Sequence, residues 1–144
     1  MLKTIVRWIP NTITCLNLLS GALACVFAFH SSESFGCLTG MELCWILIGA
    51  AAVFDFCDGA AARLLRAYSD MGKELDSLSD LVSFGLAPAM LLLNVTDTLT
   101  GGSWAMWTAL IIPVMGALRL AKFNIDDSQT TTFRGLPILS LIHI

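Results

Sequence analysis

Four long apolar stretches, separated by short polar ones, dominate this chain. They occupy residues 13–29, 43–62, 76–95 and 104–123. Each comes close to the roughly 20 apolar residues that an α-helix needs to cross a bilayer core. The pattern predicts an all-α fold, a polytopic bundle of transmembrane helices with four spans present. Ahead of the first span, residues 1–8 (MLKTIVRW) mix basic and apolar side chains. They predict a short N-terminal interfacial helix lying on the membrane. No A-x-A-like site follows at a suitable distance, so a cleaved signal peptide is not expected. A further apolar run, GLPILSLIHI, starts at Gly135 and ends with the chain at Ile144.

Composition strengthens the membrane reading. Hydrophobic residues make up 56% of the 144 and charged residues 13%, against about 25% charged in an ordinary soluble domain. Mean hydropathy is +0.78. The five cysteines, Cys15, Cys25, Cys37, Cys44 and Cys57, form no CxxC pair. Nothing in their spacing supports a zinc site or a disulfide framework, and they read as small buried hydrophobes. His30 is isolated and receives no role.

The placement of charge says more than the net value of −3. With four spans, Lys3 and Arg7 precede the first, Arg63, Arg66 and Lys73 lie between the second and third, and Arg119, Lys122 and Arg134 lie at or after the end of the fourth. All eight basic residues therefore fall on one side, and loops 31–42 and 94–103 carry none. A missed or false span would scatter them. The basic side is expected to be cytoplasmic. Trp45, Trp104 and Trp107 then gather at the opposite interface as an aromatic belt.

The segment DFCDGAAARLLRAYSDMGKELDSLSD, residues 55–80, puts Asp55, Asp58, Asp76 and Asp80 at the basic ends of the second and third spans. Carboxylates at membrane depth are costly, and four together repel one another. They call for a counter-charge. At about 100° per residue, Asp55, Asp58, Gly59 and Ala62 share roughly 100° of one helix face. Asp76 and Asp80 lie one turn apart on the next helix, with Ser83 and Ala87 continuing that face. Several hard oxygen ligands suit Mg²⁺, Mn²⁺ or Ca²⁺, and two such ions can clamp a phosphoryl group. Arg63 borders the same face and can grip a phosphate. Asp70 and Glu74 read instead as partners of Arg63, Arg66 and Lys73 at a solvated helix end. A cation-transport role is the rival from another class. It is disfavoured because the remaining acids, Glu33, Glu42, Asp97, Asp126 and Asp127, sit in loops or at helix ends and form no second layer across the membrane.

The order Asp55-x2-Asp58-Gly59-x2-Ala62-Arg63-x8-Gly72-x3-Asp76-x3-Asp80 resembles, without departure, the signature of the CDP-alcohol phosphotransferase family. The resemblance implies an integral membrane enzyme of about six helices that moves a phosphatidyl or similar group from a CDP-linked donor to an alcohol and releases CMP. It implies Asp55, Asp58, Asp76 and Asp80 as ligands of Mg²⁺ or Mn²⁺, two ions in all, with Asp80 also the general base. It implies donor contacts at Asn11, Thr14, Gly59, Arg63 and Ser69. PNTITCLNLLSG (10–21), GALRLAKFN (116–124) and FRGLPI (133–138) resemble the bacterial, membrane-embedded branch of the family that makes phosphatidylserine. That implies CDP-diacylglycerol as donor, L-serine as acceptor, a place in the bacterial cytoplasmic membrane, and a homodimer. Arg119 and Asn124 then become candidate acceptor contacts, with Arg119 receiving the serine carboxylate. Glycerol 3-phosphate or inositol phosphate is the alternative acceptor, disfavoured by the few basic residues beyond the motif. The first span carries a stripe of Thr14, Asn17, Gly21 and Ala24, suited to helix packing or to donor contact near its start. After GLP, the tail LSLIHI departs from the usual continuation of the family. The expectation is a single domain over residues 1–144, truncated at its C-terminus.

Overall fold

The computed structural model describes residues 2–65, 69–102 and 104–125, without the side chains of 2–7, 105, 124 and 125. Helix α1 covers Leu2–Phe29. The expected N-terminal helix is therefore not a separate element. It runs without a break through Pro10 into the first span. Pro10 has no N–H to offer the preceding turn, and Thr12 and Thr14 beside it hydrogen-bond back to the carbonyls of Trp8 (2.8 Å) and Pro10 (3.0 Å).

A two-residue antiparallel hairpin follows, β1 (Ser34–Phe35) and β2 (Leu38–Thr39), paired Ser34 to Thr39 and Phe35 to Leu38. Gly36 turns it with φ of 72°, a conformation that suits glycine in tight hairpins. The Phe35 ring packs edge-on against Phe27, with centroids 5.2 Å apart. Helix α2 (Gly40–Leu64) starts at once in a capping box. Thr39 Oγ1 accepts from the Glu42 N–H, and Glu42 accepts from the Thr39 N–H. Two of the donors at this helix start are thereby satisfied, and the Gly40 and Met41 N–H groups donate to the carbonyls of Glu33 and Ser31.

The third span begins at Asp70, six residues before its apolar run. Ser69 caps it by accepting from the Gly72 N–H at 3.0 Å. A good cap and an acidic first turn, favoured by the helix dipole, extend the helix into polar sequence. This span runs from Asp70 to Thr100 as α3 (Asp70–Asp80), a π-helical segment (Leu81–Leu86) and α4 (Ala87–Thr100). The last span opens with a 3-10 turn (Trp104–Leu110) and continues as α5 (Ile111–Ile125).

Among the described residues, four helices are long and apolar enough to cross a membrane: Trp8–Phe29, Gly40–Leu64, Asp70–Thr100 and Met106–Phe123. The chain is a multi-pass membrane protein. Its surface reads inside out relative to a soluble bundle. Leu19, Val26, Val53, Phe56, Val114 and Leu118 are exposed, whereas much of the packed interior is small: Ala24, Ala28, Cys44, Ala51 and Ala87 around Phe84, Ile48 and Leu91. Lipid tails are as apolar as leucine, so close approach of small residues holds such helices together. The cysteines follow the same logic. Cys44 is buried and Cys25 partly so, but Cys15, Cys37 and Cys57 are exposed, which corrects the expectation of burial. Cys15 and Cys57 sit on membrane helices, where an apolar side chain can face lipid as readily as protein, and Cys37 sits in the hairpin turn.

Helix α1 is the spine. It packs along α2 on one side and against α3, the π segment and α4 on another. The Thr14–Asn17–Gly21–Ala24 stripe forms the second contact. Ser79 Oγ donates to the Thr14 carbonyl (3.2 Å), and Ser83 Oγ donates to Asn17 Oδ1 (2.7 Å) and to the Asn17 carbonyl (3.1 Å). A Cβ on Gly21 would lie 2.7 Å from the Ser83 Cα, so only glycine allows this approach. Just beyond α1, Ser31 Oγ donates to Asn94 Oδ1 on α4 at 2.8 Å.

Candidate active site

The end of the bundle opposite the hairpin holds the acids. Asp55 and Asp58 come from the last turns of α2, and Asp76 and Asp80 from the last turns of α3. Carboxylate oxygens of Asp55, Asp76 and Asp80 lie within 4.8 Å of one another. Asp58 is not one of this trio. It is 4% exposed and lies against Thr14, lining a cavity that Asp76 also lines. Asp76 therefore belongs to both groups, and the fourth carboxylate flanks the cluster from the cavity side.

The chemistry of this donor set fits a divalent cation. Asp58 Oδ2, Asp76 Oδ1 and Asp80 Oδ1 are buried and have no hydrogen-bond partner among the described residues. A buried polar atom without a partner costs about 1–3 kcal/mol, and more if charged. Two unit charges within 4.8 Å of each other repel by about 3 kcal/mol or more at an effective dielectric of about 20. A cation among them offsets both penalties.

Beside the acids lies a cavity of about 640 Å³. It is lined by all five residues expected to contact the donor, Asn11, Thr14, Gly59, Arg63 and Ser69. Three elements bring them together: the start of the first span, the end of α2 and the cap of α3. Gly72 also lines the cavity, and a Cβ there would stand 2.9 Å from Ser69 Oγ and 3.0 Å from Asn11 Oδ1. Lys73 and Asp70 complete the polar wall. Sequence reasoning gave Lys73 no part in the site, although its spacing of three from Asp76 puts both on one face of α3. Thus a wall with two cations, Arg63 and Lys73, meets a group of carboxylates, an arrangement suited to a phosphate-bearing ligand with its metal.

Arg119 lies on α5 and is not among the described residues lining the cavity. Asn124 lies in the last turn of α5, and its side chain falls outside the described residues. Arg66 and Arg134 also fall outside them.

Comparison with known proteins supplies a family. The model of the CDP-alcohol phosphatidyltransferase family matches residues 7–141. Among curated relatives, the CDP-diacylglycerol–serine O-phosphatidyltransferase of Bacillus subtilis is 43% identical over 136 residues, covering 92% of this chain and 70% of that protein. The proteins of the same name from Methanocaldococcus jannaschii and Mycobacterium leprae are 40% and 38% identical, over 90% and 87% of this chain. The chain spans 54% and 39% of their lengths, respectively. No solved structure gives a significant match. Enzymes of this family use divalent metals, in keeping with the acids gathered here. The chain belongs to the CDP-alcohol phosphatidyltransferase family.

Proposed function

We propose that this protein transfers the phosphatidyl group of CDP-diacylglycerol to the hydroxyl of L-serine, giving phosphatidylserine and CMP. What supports this reading best is a single juxtaposition. The carboxylate cluster abuts a cavity lined by Asn11, Thr14, Gly59, Arg63 and Ser69, and relatives with up to 43% identity bear that enzyme's name.

The residues divide the work by chemistry. Arg63, with Lys73 beside it, neutralises the diphosphate of the donor; a guanidinium is well matched to phosphate oxygens. Asn11, Thr14 and Ser69 offer hydrogen bonds to the nucleotide half, and the bare Gly59 leaves room for it. Asp55, Asp58, Asp76 and Asp80 hold Mg²⁺ or Mn²⁺, two ions on this reading. When bound, the ions stabilise charge on the diphosphate as CMP departs. Asp80 takes the serine hydroxyl proton. The serine oxygen forms the new bond to the phosphatidyl phosphorus, the bond from that phosphorus to the CMP oxygen breaks, and the proton passes from Asp80 to water. Arg119 receives the carboxylate of serine, with Asn124 beside it.

The positive-inside pattern supports a position for this end of the bundle at the cytoplasmic face of a bacterial inner membrane. The family resemblance supports a homodimer as the working form.

The test is CMP release from CDP-diacylglycerol by membranes containing this chain, with and without serine, with Mn²⁺ or with EDTA. Serine-dependent release, lost in EDTA and in Asp80→Asn, is the expected result. Release driven by glycerol 3-phosphate or inositol phosphate in preference to serine would move the acceptor. No release with any of the three alcohols would refute the reading.

A further inference from the structure

Asn17 is the largest fully buried polar side chain among the described residues, at 0% exposure. It sits in the middle of the contact between α1 and the third span. One half of its amide is held. Oδ1 accepts from Ser83 Oγ at 2.7 Å, and Ser83 is itself fully buried and bonded to the Asn17 carbonyl. That bond fixes the rotamer. The other half is not satisfied. Nδ2 is buried and meets no acceptor at hydrogen-bond geometry among the described residues. The amide lies beside the Asp80 carboxylate, whose Oδ1 is likewise buried and unpartnered. A donor without an acceptor thus stands next to an acceptor without a donor, in a region where each costs about 1–3 kcal/mol unmet.

Helix packing alone does not call for this arrangement. Gly21 already provides the close approach to Ser83, and a Ser83 bond to the α1 backbone carbonyl alone would tie the helices. The carboxamide adds one thing, a fixed N–H donor at the acid cluster. It brings no charge, so it can hold a carboxylate without competing for a cation.

The geometry points to Asn17 as a positioning residue for Asp80: oriented by Ser83, its side-chain amide donates to one carboxylate oxygen and holds the base in the attitude that proton transfer requires. A carboxylate on a helix otherwise rotates freely about its last torsion. In a cluster of acids it turns toward whichever cation or donor is nearest. A neutral donor on a neighbouring helix removes that freedom in advance, and misplacing a base by about 1 Å can cost about 100-fold. The inference rests on Asp80 being the base of the reaction proposed above.

The test uses the whole chain in detergent, with Asn17→Leu, which keeps the volume and removes the donor, and Ser83→Ala, which removes the group that aims it. Four quantities are read: kcat, KM for CDP-diacylglycerol, Mn²⁺ affinity from the paramagnetic resonance of the free ion, and melting temperature. Asn17→Leu should lose at least tenfold in kcat, with KM and Mn²⁺ affinity within about threefold of the parent. Ser83→Ala should lose less, in kcat again, and the double variant no more than Asn17→Leu alone. If Asn17→Leu fails to fold, the same split between kcat and KM in Ser83→Ala decides.

A kcat within twofold of the parent in the folded variants would overturn the inference. So would parallel losses in melting temperature, Mn²⁺ affinity and kcat, because those mark a packing residue. A parent chain that releases no CMP with any alcohol would instead refute the underlying reading, and the inference with it.

Discussion

Replacing Gly21 with alanine puts a methyl group where α1 meets the third span. The new Cβ would stand 2.7 Å from the Ser83 Cα, whereas carbon atoms in contact prefer about 3.5–4.0 Å. The obstacle is backbone, so no rotamer change relieves it, and the helices must separate by about 1 Å. Overpacking of this kind costs about 1–3 kcal/mol. The shift also loosens the Ser83–Asn17 bond, worth about 1 kcal/mol. Alanine's better helix propensity returns about 0.5–1 kcal/mol. The net loss is about 2 kcal/mol, roughly a 30-fold change in the folded-to-unfolded ratio. At about 2–4 °C per kcal/mol, the melting temperature falls by about 4–8 °C. Gly49→Ala is the control, because a Cβ there meets nothing within 4 Å; it should melt at or slightly above the parent. Tryptophan fluorescence during heating of the detergent-solubilised variants measures both. Gly21→Ala melting with or above Gly49→Ala would refute the packing argument.

Gly72→Ala should raise the KM for CDP-diacylglycerol several-fold with little change in melting temperature, because its Cβ presses on Ser69 Oγ and Asn11 Oδ1 at the cavity wall; steady-state kinetics at saturating serine check this. Asp80→Asn should abolish transfer but leave Mn²⁺-dependent donor binding largely intact, whereas Asp55→Asn or Asp58→Asn should weaken that binding at least tenfold by calorimetry. Equal loss in all three would remove the separate base role of Asp80. Thr39→Ala dismantles the capping box of α2 and should cost about 1 kcal/mol, read as a fall of a few degrees in melting temperature with kcat unchanged.

The spans were legible in the sequence because hydropathy reports lipid contact directly. Their ends were less so. Capped by Ser69, the third helix starts at Asp70, six residues before its apolar run, since a cap and a favourable first turn leave no trace in hydropathy. The same blindness hid the continuity of α1 through Pro10. Hydropathy also cannot say which apolar residue faces protein and which faces lipid, and the exposed Cys15 and Cys57 mark that limit. At the site, helical periodicity predicted that the acid pairs of α2 and α3 could face one another. It did not predict that Asp55, Asp76 and Asp80 would form the tight trio with Asp58 at its flank, because that depends on the crossing of the two helices. The role of Asn17 was half legible: its place in a small-residue stripe was clear, but not its bond to Ser83, 66 residues away.

The π-helical segment Leu81–Leu86 has a consequence for how this helix tolerates change. A π turn closes hydrogen bonds over five residues rather than four, as the Ala87 N–H does to the Val82 carbonyl. It absorbs an extra residue, and one residue of an α-helix is worth about 100° of rotation. The acidic end of the span and its buried end, Ala87 and Leu91, are therefore set in different phases. Deleting one residue between 81 and 86 would restore an unbroken α-helix and lock the two phases together. Either Asp76 and Asp80 would swing away from Asp55, or Ala87 and Leu91 would turn out toward lipid. The chain can thus vary its packing and its carboxylates separately only while that widened turn persists.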